Sequence, residues 1–173
     1  MTTASRATSA AFTLVEILIV VLVMAIAAAI IIPNIGTAAD SQVISAARVL
    51  QADVEVARSL AVTTQRPHSL VFSPDRCSYK VVANYGGGAY ASAVAVSHPV
   101  NPRTLFEVTL ADLNGMTAVT VFAVDFGGQP YVTFQSLGDP VAPGNITLRA
   151  GECEIVVSVE GLTGIVTVTR TRN

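Results

Sequence analysis

An α+β fold, with a long N-terminal helix packed on a mainly antiparallel β head, is predicted by three features of this sequence. Residues 12–32 are almost continuously apolar. Apolar side chains then recur at helical spacing between Val43 and Ala61. From residue 68 the pattern changes to alternation every second residue and keeps it to the end.

The chain has 173 residues, room for one domain with a core and one further element. Apolar residues make up 51% and charged residues only 13%, against about 25% charged in ordinary soluble domains. Net charge is -2, the only lysine is Lys80, and no basic block exists, so nucleic acid is not an expected partner. Two histidines, His68 and His98, and two distant cysteines make no metal-ligand set, and no cofactor is expected. Cys77 and Cys153 could form one disulfide if the bulk of the chain lies outside the cytoplasm, or stay free thiols. No G-x-S-x-G surrounds any serine, and the glycines of YGGGAYAS are not followed by a phosphate-binding lysine. His68 and His98 read as surface or turn residues, and Asp112, Asp125 and Asp139 sit beside turns. An enzyme is not expected.

The first element is the apolar run. From Phe12 to Ile32 only Thr13 and Glu16 are not apolar. As a helix the run would be about 32 Å long, matching a bilayer's hydrocarbon core of about 30 Å. Arg6 precedes it and Asp40 is the first charge after it, which favours a cytoplasmic N-terminus. An ordinary secretory signal would instead have its apolar region at Leu14–Ile26 and an A-x-A site at Ala27-Ala28-Ala29. Glu16 counts against that, because a carboxylate in such a stretch costs a few kcal/mol. A cut between Ala11 and Phe12 would place a free amine one helical turn from Glu16. The carboxylate would then lie in the first turn, where the helix dipole favours an anion.

The second element follows Pro33, which lacks an amide hydrogen and would kink the helix. Val43, Ala46, Leu50, Val54, Ala57 and Ala61 form one apolar stripe, with polar residues on much of the remaining surface. The helix is expected over about residues 37–63 and ends before Arg66-Pro67. Strands are then expected at 68–73, 77–85, 104–110, 118–126, 131–134 and 146–151, with a closing hairpin formed from CEIVVSVEGLTGIVTVTR. Its alternating face, with Ile155, Val157 and Val159, would pack on the helix stripe.

The stretch AFTLVEILIVVLVMAIAAAIIIP resembles the class III signal and first helix of type IV pilins and type II secretion pseudopilins. That resemblance implies removal of residues 1–11 as a leader by a prepilin peptidase, methylation of the new N-terminal Phe12, and a registration role for Glu16 between subunits. It makes Pro33 the helix kink. The family has glycine before the cut, and Ala11 stands there here. The C-terminal stretch from Phe134 and Gly138, through Ile146 and Leu148, to Ile155–Val159 and Ile165–Val168, looks like the GspH/FimT branch of minor pseudopilins and pilins.

The resemblance divides the chain into a leader (1–11), a transmembrane helix (12–32), its amphipathic continuation (33–63) and a β-rich globular head (64–173). It implies a minor pseudopilin of a type II secretion pseudopilus, acting in protein export. The alternatives are a FimT-like minor pilin of a type IV pilus, or a secreted or membrane-anchored β binding module. The implied partners are other pilin or pseudopilin subunits, the prepilin peptidase, an inner-membrane assembly platform and the lipid bilayer. The implied location is the inner membrane, single-pass, with the N-terminus cytoplasmic and the head outside, assembled into a fibre.

Overall fold

The computed structural model describes residues 13–31, 35–113 and 115–171. Two compact units divide it, one up to Gly36 and one from Thr37 onward. In the first, helix α1 spans Leu14–Ile31. Helix α2 spans Ile35–Thr64, close to the predicted bounds. It ends where Gln65 turns left-handed (φ 54°) and the Arg66 amide donates back to Ala61 O at 3.2 Å. Pro67 then prevents any return to helix.

Among the described residues eight strands follow in two antiparallel sheets. In the first, β1 (His68–Phe72), β2 (Ser78–Ala83), β3 (Glu107–Thr109) and β5 (Tyr131–Phe134) lie in the order β3-β2-β1-β5. In the second, β4 (Thr120–Asp125), β6 (Gly144–Ala150), β7 (Cys153–Val159) and β8 (Val166–Thr171) lie in the order β4-β6-β7-β8. Every strand expected from the alternation is present; most are trimmed at their ends, while β5 keeps its predicted bounds and β6 begins two residues early, at Gly144.

α2 organises both sheets. All six stripe residues predicted from spacing are completely buried, and Ala47 joins them. They share one core with Leu70, Phe72, Tyr79 and Val81 of the first sheet and Ile146, Leu148, Ile155 and Val157 of the second. Polar contacts fix the register. Tyr79 donates to Asp53 at 2.6 Å, Gln51 Nε2 donates to Val166 O at 3.2 Å, and Arg170 pairs with Asp40. In β7 the residues Ile155, Val157 and Val159 are buried and alternate with half-buried neighbours, as period two requires. β1 is buried at every position, a pattern that alternation alone does not predict. Its outward residue Val71 pairs with Lys80, and Lys80 is covered by the ring of Tyr90, which lies 4.1 Å from Nζ.

The α+β class with helix on antiparallel sheet therefore holds, but the transmembrane half does not. Among the described residues no helix is long and apolar enough to cross a membrane. The physical reason is length. α1 has 18 residues, about 27 Å, and Glu16 in its first turn leaves an uncharged stretch of about 22 Å, short of the roughly 30 Å required. The predicted span over 12–32 is corrected accordingly. With it go the single-pass inner-membrane location, the cytoplasmic N-terminus deduced from that span, and the lipid bilayer as a partner.

Candidate functional site

The first turn of α1 is built by Thr13. Its Oγ1 accepts the Glu16 amide at 3.2 Å, and its carbonyl accepts the amides of Glu16 at 3.1 Å and Ile17 at 3.3 Å. Thr13 is therefore the N-cap and Glu16 the third helical residue, the T-x-x-E spacing of a capping box. A carboxylate at that position faces the positive end of the helix dipole. Local chemistry thus gives Glu16 a role in starting the helix before any partner is considered. The spacing was present in the sequence and is a signal for a helix start that the apolar pattern overshadowed.

The rest of α1 is apolar on every side, and its described side chains from Leu14 to Ala27 are exposed, Leu14 at 81%. A helix with one apolar stripe packs on its own domain, as α2 does; a helix apolar all round needs an apolar environment all round. α1 is consequently the largest unpartnered apolar surface among the described residues. Glu16 lies at its N-terminal end as the lone charge.

Of the other predicted positions, the processing residues Ala11 and Phe12 and the kink at Pro33 lie outside the described residues. Cys77 and Cys153 are free thiols, the first exposed beside the β1–β2 turn and the second buried at the start of β7. Burial raises the Cys153 thiol above its ordinary value. Among the described residues no group of three or more His, Cys, Asp or Glu is placed to hold a metal.

His68, expected at the surface, is buried at the start of β1, where its Nδ1 lies 3.0 Å from Arg66 O. The following strand is covered on both faces, so its first residue is covered too. His98 does sit in a loop, and its Nδ1 accepts the amides of Val100 at 3.2 Å and Asn101 at 3.4 Å. Asp125 accepts the Gly128 amide at 2.8 Å and shapes the β4–β5 turn.

No pattern in the sequence announces the Asp53–Tyr79 pair. Tyr79 of β2 is completely buried against α2, and burial raises its hydroxyl well above the usual range. Burial also raises the carboxyl of Asp53, against the opposing effects of the Tyr79 hydrogen bond and the charge of His98. Asp53 sits among surface polar residues in the sequence, and the contact with Tyr79 of β2 leaves it half-buried.

A family model described as type II transport protein GspH matches residues 46–163, well over half of the chain. No curated protein is a significant sequence match. Among solved structures, the minor pseudopilin EpsH from the Type 2 Secretion System of Vibrio cholerae aligns with a TM-score of 0.55 at 10% identity, covering 75% of this chain and 97% of that one. The type IV minor pilin FimU of Pseudomonas aeruginosa aligns with a TM-score of 0.53 at 16% identity, covering 75% and 90%. At these identities the likeness is one of fold.

Proposed function

The chain belongs to the GspH family of type II transport proteins, and from that premise we propose that it is a minor pseudopilin, a structural subunit of a secretion pseudopilus that takes part in protein export. Members of the family are structural rather than catalytic, and this chain is read as one of them. The observation that carries the proposal is α1, apolar on all sides and exposed, with Glu16 in its first turn. Packing α1 against the same helix of neighbouring subunits removes that surface from water. It also carries Glu16 into an apolar bundle, which is costly unless a cation meets it. Cleavage after Ala11 provides one, because the amine of Phe12 on one subunit can meet the carboxylate of the next.

The partners follow from this mechanism: other pseudopilin subunits through α1, a prepilin peptidase at Ala11–Phe12, and an assembly platform. The same packing would serve a minor pilin of a type IV pilus, and the family assignment favours the secretion pseudopilus. Two measurements test the proposal. Intact mass and N-terminal sequencing of protein purified from its host should give methylated Phe12 as the first residue; a start at Ile30 would overturn it. Glu16→Leu should fold and be processed but fail to enter fibres, and normal incorporation would remove the role assigned to the carboxylate.

A further inference from the structure

Each four-stranded sheet has two edges, and among the described residues every edge but that of β8 is closed. β3 has only three residues. Beyond β5 the chain doubles back, the Val141 amide donating to Thr133 O and the Gln135 amide to Asp139 O, both at 2.8 Å. β4 is bulged at Phe122, whose carbonyl accepts from Arg76 of the β1–β2 turn. Short, covered and bulged edges resist a further strand. β8 has none of these protections. It runs six residues without proline, and its one charge, Arg170, is tied to Asp40 of α2.

The ladder shows which groups of β8 face outward. The Glu160 amide donates to Ile165 O at 3.0 Å, so these two form a hydrogen-bonded pair. Bonded and non-bonded pairs then alternate, and Val166, Val168 and Arg170 stand opposite Val159, Val157 and Ile155 in non-bonded pairs. Their peptide groups therefore point away from β7. Val166 O agrees, since Gln51 of α2 reaches it at 3.2 Å. The N–H and C=O groups of Val168 and Arg170 have no partner among the described residues. Donors and acceptors in such a row match another extended backbone. Alongside, α2 presents Asp40, Ile44 and Arg48, one turn apart on the flank that contacts β8. Arg48 is exposed and has no partner among the described residues.

We propose that in the unassembled protein β8 pairs antiparallel with β8 of a second copy. With the other edges closed, β8 is the open edge that the chain itself supplies, and its surroundings are self-complementary. Val168 lies opposite Arg170 of the other copy and Arg170 opposite its Val168, so every free N–H and C=O of these residues is bonded. Centring the pairing on Val168 would instead call on Val166 O, which Gln51 already holds. Thr169 then lies on the two-fold axis and Thr167 faces Thr171, hydroxyl to hydroxyl. On the opposite face Asp40 lies beside Arg170 and Gln51 beside Val166, which sets Ile44 near the level of the axis. Ile44 meets its own counterpart there. Arg48 meets Asp40 of the other copy, because the two charges are spaced equally about Ile44. The contact is isologous and closes at two copies. Its members point in opposite directions, so it cannot persist in a fibre whose subunits all point one way. It covers the edge until assembly and does not depend on the role of α1.

The test is disulfide trapping of the full chain in detergent micelles that cover α1, in a Cys77→Ser background with Cys153 buried. Thr169→Cys should form an inter-chain disulfide under mild oxidation, since the Cα atoms of a non-bonded pair lie about 4.5 Å apart, within disulfide reach. Thr167→Cys alone should give about a tenth of that yield or less, because its counterpart lies four residues along, about 13 Å away. Mixing Thr167→Cys with Thr171→Cys should restore the product. Arg48→Glu sets a carboxylate against Asp40 and should cut the Thr169→Cys yield about fivefold. Arg48 is exposed, so the thermal midpoint should match the parent's. Glu16→Leu should leave the yield unchanged, which separates this contact from the packing of α1. Equal trapping at 167 and 169, no trapping at 169, full yield with Arg48→Glu, or loss of yield with Glu16→Leu would overturn the pairing.

Discussion

Asp53 illustrates how one residue's environment sets its chemistry. Its carboxyl is raised above the ordinary 3.8 chiefly by burial, so the folded chain holds that proton more tightly than the unfolded chain. Stability contributed by the protonated form is present at low pH and lost as pH rises from 3.8 through the raised folded value. Asn at this position keeps an acceptor for the Tyr79 hydroxyl and removes the titration. The thermal midpoint of Asp53→Asn, taken relative to the parent, should therefore climb across that window and level off above it. Parallel pH profiles would mean that the carboxyl does not feel its burial. Thr13 and Glu16 make the opposite point: their spacing alone specifies a helix start, and the structure realises it without tertiary help.

At the scale of elements, α2 was the most legible part of the chain. Six stripe positions read from spacing are all fully buried, because a helix that must cover a sheet can hide only one face. Leu50 lies in the middle of that stripe, and Leu50→Ala should destabilise the head by about 2–5 kcal/mol, measured by denaturant unfolding. A loss below about 1 kcal/mol would mean the core around α2 collapses to fill the cavity. β1 was less legible. Its type and bounds followed from its composition, but burial of both faces depends on the Tyr90 segment, which residues 85–118 supply without any recognisable pattern. α1 was misjudged in length: the run of apolar letters is longer than the uncharged helix it forms.

For the whole molecule, the two units differ in how their helices are protected. α2 is held by a shared core with both sheets, whereas the described side chains of α1 are exposed. Hydrogen exchange of the unassembled chain should thus be slowest over Val43–Ala61 and close to unprotected over α1. Assembly should slow exchange in α1 most. Equal protection of both helices in the unassembled chain would contradict the packing described, and no slowing of α1 on assembly would contradict the proposed use of its surface.

The sequence by itself determined which segments become helix and which become strand, because 3.6-residue and two-residue periods are local properties of a chain. It also determined the stripe that forms the core and the single charge that marks α1. Only the tertiary structure decided how the eight strands divide into two sheets, since pairing joins residues far apart in the chain. It alone set Asp53 against Tyr79 and buried His68 at the start of β1. It alone brought Arg58, Gly138, Asp139 and Leu162 around one cleft, because those residues lie on three segments that meet only when α2 docks on both sheets.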